Sequence, residues 1–94
     1  MNREEIRNQV ELYYNENFKF AVPEAERLFD KEREHIVNIA TSIYCTKHNI
    51  GHKGGSFVQA VVNNDLMQAF STADDINRQV MRFYTMFLYN FSPY

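Results

Sequence analysis

Apolar residues recur at helical intervals from the start of the chain. Ile6, Val10, Tyr13 and Tyr14 follow Asn2, which stands three residues before Glu5 as in a capping box. The spacing predicts a first helix over residues 2–16, ended where Asn15-Glu16-Asn17 interrupts the stripe. Phe18, Phe20 and Val22 then alternate with Lys19 and Ala21, which reads as a short extended segment, a connector or an oligomer contact. Pro23 suits the first residue of a long second helix, with Glu24 and Glu26 near its positive end. Ala25, Phe29, Ile36, Ala40 and Ile43 form its stripe, flanked by Leu28, Ile39 and Tyr44, and predict a helix over 23–47. Lys47 and His48 sit at its negative end, and Asn49-Ile50-Gly51 is its exit.

A third helix is predicted from Ser56, with Ser56 and Gln59 as a capping box and Phe57, Val58, Val61 and Val62 as its apolar face. Asn63-Asn64-Asp65 breaks that face. Asn64 is read as the cap of a short fourth helix over 65–71, which buries Leu66, Met67 and Phe70. Thr72 or Asp74 caps a last helix carrying the clearest amphipathic face, Ile76, Val80, Phe83, Tyr84, Phe87, Leu88 and Phe91, and Pro93 closes it. The expected fold is all-α, a small bundle of four to five helices with a long second helix and an amphipathic C-terminal helix. Residues 1–94 are expected to form a single domain, with residues 1–22 as a helical arm for oligomerisation or a partner.

Composition narrows the function classes. A chain of 94 residues has room for one modest core. Eight Phe and six Tyr are many rings to hide in it, so some are expected at an interface between copies or with a partner, and a homo-oligomer is expected. Ten Lys and Arg against twelve Asp and Glu give a net charge of -2, which disfavours duplex nucleic acid and an anionic membrane surface. Cys45 stands alone, so no disulfide or cysteine-based zinc site forms within one chain. The polar N-terminus does not resemble a signal peptide and no apolar run spans a membrane, so a cytoplasmic protein is expected.

The chemistry concentrates at His52-Lys53-Gly54-Gly55-Ser56-Phe57. Two glycines let the backbone approach a ligand, and helix-start amides beside a lysine suit a phosphate or carboxylate. The competing reading is a plain connection before a capped helix. Walker spacing and a preceding strand are both absent, so nucleotide hydrolysis is not expected. Asn63, Asn64 and Asp65 offer amide and carboxylate groups to a base or sugar beside that anion, or simply break and cap helices. Arg78 and Arg82, one turn apart, reach a phosphate or form a solvated edge with Asp74 and Asp75. Asp74, Asp75 and Asn77 lack the spacing of a calcium loop, and His35, His48 and His52 lack that of a metal set. Cys45 and His48 are three residues apart, but no oxyanion site or orienting group completes a nucleophile, so no enzyme and no cofactor are expected.

From Asn49 to Pro93 the order of landmarks resembles a family of small, uncharacterised bacteriophage and prophage proteins. The shared pattern is Gly55-Ser56-Phe57, Ala60-Val61, Asn64-Asp65-Leu66, Ala69, Ala73-Asp74, Asn77, Leu88-Tyr89-Asn90 and then Pro93. The resemblance covers about half the chain and implies a helical phage or mobile-element protein, acting in the host cell; it supplies no chemistry. The chain departs from it in having His52-Lys53-Gly54 where a proline usually precedes the glycine turn, and in ending at Tyr94. Together the basic loop, the polar break and the resemblance lead to one expectation: a non-enzymatic binder that sequesters a small phosphorylated ligand, for instance a cyclic nucleotide immune signal, to counter host defence. The alternative is a protein-interaction module that inhibits a host protein or forms a structural oligomer, using the aromatic excess and the N-terminal arm.

Overall fold

The computed structural model describes residues 1–91. Within them the chain forms seven α-helices and one turn of 3-10 helix, with no strand. Helix α1 (Arg3–Ala21) starts as expected: the Asn2 side chain accepts from the Glu5 amide at 2.9 Å, and the Glu5 carboxylate accepts from the Asn2 amide. It does not stop at Glu16. Ile6, Val10, Tyr14, Phe18 and Ala21 lie three or four residues apart and are all buried, while Asn15 and Glu16 occupy the solvent face. The expected extended segment is therefore the last turn of the helix, with Phe18 inside and Phe20 outside. The N-terminal segment is helical but does not stand off the bundle; α1 packs on α3 (Arg33–Lys47) and α7 (Met81–Phe91) and walls the core.

The long second helix is divided in three: a 3-10 turn (Pro23–Ala25), α2 (Leu28–Lys31) and α3, with the break at Glu32 (φ -116°, ψ 17°). A contact from α1 supplies the physical reason. The Tyr14 hydroxyl donates to the Phe29 carbonyl at 2.6 Å, the oxygen that an unbroken helix would offer to the Arg33 amide. The rings of Tyr14 and Phe29 stack at 5.1 Å, and the Arg33 guanidinium lies 4.4 Å over the Phe29 ring. A bent entry lets Phe29 and Arg33 cover Tyr14 together. The predicted last helix is divided as well, into α6 (Asp75–Gln79) and α7. Asp74 is the cap, accepting from the Asn77 amide at 2.7 Å. At Val80 the chain turns so that Val80 is fully buried and the Asn77 side-chain oxygen accepts from the buried Tyr84 hydroxyl at 2.6 Å.

Two short helices fill the other edge: α4 (Ser56–Val62) and α5 (Leu66–Thr72). Helix α4 packs on α3, and α5 is attached mainly through α4. Only Ala69 of α5 is buried; Leu66, Met67 and Phe70, expected inside, are 67%, 84% and 43% exposed. Pro93, expected to close the last helix, lies outside the described residues. No helix among the described residues is long and apolar enough to cross a membrane.

Candidate functional site

Two helix ends and one loop build the candidate site. Helix α3 finishes in a Schellman turn: Asn49 takes the left-handed conformation (φ 57°), the Ile50 amide donates to the Cys45 carbonyl at 2.8 Å, and the Asn49 amide donates to Thr46. Helix α4 finishes the same way. Asn64 has φ 57°, the Asp65 amide donates to Ala60 at 2.9 Å, and the Asn64 amide donates to Val61. Asn64 is thus the left-handed residue that ends α4, and Asp65, not Asn64, caps α5 by accepting from the Gln68 amide at 3.1 Å.

The connecting loop is pinned at Gly54. Its amide donates to Thr46 Oγ1 at 2.9 Å, and its carbonyl accepts from Gln59 Nε2 at 2.7 Å. A Cβ at Gly54 would lie 2.6 Å from both Ser42 Oγ and a Val58 methyl, so glycine is needed here for packing on α3. A Cβ at Gly55 would meet nothing within 4 Å. The expected Ser56 and Gln59 capping box is not formed. Gly55 is the N-cap, Ser56 is the first helical residue, and Gln59 turns back to Gly54 because the pinned loop presents that carbonyl.

Thr46, Lys47 and Asn49 from the end of α3, Lys53 from the loop, and Gln59, Val62 and Asn63 from α4 enclose a polar cleft of about 240 Å³. Beside it, sharing Lys47 and Val62, runs an open groove of about 430 Å³ between α4, α5 and α7, with Asn64 and Asp65 among its lining residues. Of the predicted residues, Lys53 and Asn63 therefore meet in one cleft and Asn64 and Asp65 line its neighbour. Gly54 backs the loop, and His52, Gly55 and Ser56 are exposed on it. Phe57 is core, edge-on to Tyr84 at 5.8 Å. Arg78 lies on α6 and pairs with Asp75 at 2.7 Å, lining neither concavity.

Sequence reasoning missed Thr46, Asn49 and Gln59 as members of the site, and saw Lys47 only as a helix-end residue. The available signal was the left-handed Asn49, which folds the loop back along α3. Charge in the cleft follows from its walls. Two helix C-termini each contribute roughly half a negative charge, Lys47 and Lys53 bring ammonium groups, and among the described residues no carboxylate lines the cleft.

The other candidate chemistry is dispersed. Cys45 is fully buried. The His48 ring packs on Tyr44 at 4.4 Å, His35 Nε2 lies at ion-pair distance from Asp74, 3.1 Å, and His52 is on the loop. Among the described residues no three His, Cys, Asp or Glu side chains gather as a metal site. No known family model matches the chain, and neither a curated protein nor a solved structure matches it.

Proposed function

We propose that the protein is a non-enzymatic binder of a small phosphorylated ligand, with the polar cleft as its anion site. The observation that carries this is the meeting of Lys53, Lys47 and Asn63 in one polar cleft. Lysine ammoniums supply the charge, and the amide groups of Asn63, Asn49 and Gln59 supply further donors to phosphate oxygens. The resemblance to small phage proteins gives such a binder a setting. Sequestering a signal such as a cyclic nucleotide in the host cytoplasm works by mass action and needs no catalytic group. Thermal melts of the full chain against cyclic dinucleotides, mononucleotides and sugar phosphates test it. A ligand at a hundred times its Kd raises stability by about 2.7 kcal/mol, and Lys53→Glu removes that gain. No shift across the panel overturns the reading.

One observation favours a second reading, a protein-interaction module or oligomer: Leu66, Met67 and Phe70 are exposed side by side on α5. Its test is a Leu66→Ser, Phe70→Ser double variant, followed by light scattering and by pulldown from host lysate. Deletion of residues 1–22 does not serve, because α1 is part of the core.

A further inference from the structure

The anion cleft leaves the larger concavity unused. The groove beside it has a volume of about 430 Å³, within the range of small-molecule sites. Its walls are apolar, with Val61 on α4, Leu66 and Ala69 on α5, and Met81 and Leu88 on α7. The ring of Tyr89, 80% exposed, also lines it. Asn64 and Asp65 supply amide and carboxylate groups. Polar cleft and groove share Lys47 and Val62, so one ligand can occupy both.

The charges give such a ligand a direction. Lys53 lines the polar cleft, Lys47 stands where cleft and groove meet, and the Asp65 carboxylate lines the groove. An anion goes to the lysines, and a hydrogen-bond donor goes to Asp65. One Asp65 oxygen caps α5, and a carboxylate has lone pairs for further donors. An acyl chain would fill the apolar walls but leave Asn64 and Asp65 without partners. A sugar phosphate would leave those walls wet.

We infer that the ligand is a nucleotide, its phosphate against Lys53 and Lys47 and its base in the groove beside Tyr89, with the amino edge of the base toward Asp65 and Asn64. This rests on the phosphate reading of the polar cleft and names the class of molecule that fills its neighbour. Aromatic faces accept any base, so stacking on Tyr89 supplies affinity and the Asp65 edge supplies preference for amino-bearing bases.

Calorimetric titration of the full chain with guanosine monophosphate, adenosine monophosphate and ribose 5-phosphate tests it. The variants are Tyr89→Ala, Asp65→Asn and Lys53→Glu. Tyr89 is a surface residue, and asparagine caps a helix as well as aspartate, so the first two retain the fold. Expected are nucleotides bound at least about tenfold tighter than ribose 5-phosphate, and loss of that margin in Tyr89→Ala with ribose 5-phosphate unchanged. Asp65→Asn weakens the nucleotides only, and Lys53→Glu weakens all three. Equal affinity for nucleotides and ribose 5-phosphate, indifferent to Tyr89→Ala but lost in Lys53→Glu, overturns the base site and leaves the phosphate site standing. Binding that depends on Tyr89 and not on Lys53 overturns the phosphate site. No binding of any of the three overturns both.

Discussion

The α1, α3 and α7 side of the molecule and the α4 and α5 edge solve opposite problems. On the first, rings from α1 and from α7 itself close around Phe83, which contacts Tyr13, Tyr14, Phe18, Tyr84 and Phe87 at centroid distances of 5.5 to 6.4 Å. On the second, a seven-residue helix buries one alanine and leaves Leu66 and Met67 in solvent beside two concavities. Stability is concentrated where the rings interlock, and the surface able to receive a ligand lies where packing is thin. Such a division is expected of a small domain, because a core this size cannot both fill its interior and keep a cavity there.

The largest effect should come from the ring side. Phe83→Ala removes a fully buried ring and is expected to cost about 3–5 kcal/mol by chemical denaturation, a large share of what a small domain has. A cost under 1 kcal/mol would mean that the core relaxes into the space and that the two sides differ less than their packing implies.

The same side should also be the alkali-sensitive one. Burial pushes the Tyr14 hydroxyl up to about 12 from an ordinary value of 10, the Arg33 guanidinium opposing this in part, and burial raises Tyr84 well above that ordinary value. Above pH 10 the unfolded chain loses these protons while the folded chain keeps them, so stability falls as pH rises. By pH 11 Tyr14 alone lowers it by roughly 1 kcal/mol. Urea melts at pH 9 and 11 check this, and Tyr14→Phe should reduce the difference by that amount.

How far these two sides can be read from the chain depends on which contacts are local. Local pattern finds the stripe of α1, the Asn2 cap, Asp74 as one of two candidate caps and the exit at Asn49, because each depends on residues within four positions. It stops α1 too early because Asn15 to Asn17 look like an interruption, when Asn15 and Glu16 are its wet face and the Asn17 side chain donates back to the Tyr13 carbonyl. The break at Glu32 is invisible locally, since its cause is Tyr14, fifteen residues before the carbonyl it takes. In the candidate site, Lys53 and Asn63 were legible as polar residues flanking one short helix. Thr46 was not, since its place there depends on the Gly54 amide folding back onto it. Phe57 and Arg78 were misplaced for a related reason: a helix start does not reveal which of its residues face the core, nor which helix lies opposite.

The adjacent glycines sit on the boundary between the two sides and separate packing from ligand access. Gly54→Ala drives a Cβ into Ser42 and Val58 and should cost about 1–3 kcal/mol. At Gly55 two effects oppose each other. Alanine is the poorer N-cap by several tenths of a kcal/mol to about one, and it restricts the unfolded chain by about as much. Gly55→Ala is therefore expected to be neutral within about 0.5 kcal/mol. Equal costs at the two positions would mean that the loop is not held against α3 by Gly54.

The smallest change tests the thin edge itself. Met67 is 84% exposed, so Met67→Ser removes little buried area and should alter stability by no more than about 0.5 kcal/mol. Its informative readout is mass by light scattering across a concentration series. If the variant and the parent have the same mass at every concentration, the exposed face of α5 does not join copies through Met67. A lower mass in the variant would show that what looks like thin packing in one chain is completed by another. The cost of Met67→Ser would then grow with protein concentration, because an interface contributes to stability only to the extent that it is occupied. The same concentration series run on Phe83→Ala separates the two sides: a core lesion lowers stability equally at every concentration in a monomer, whereas a lesion at α5 does so only where copies meet.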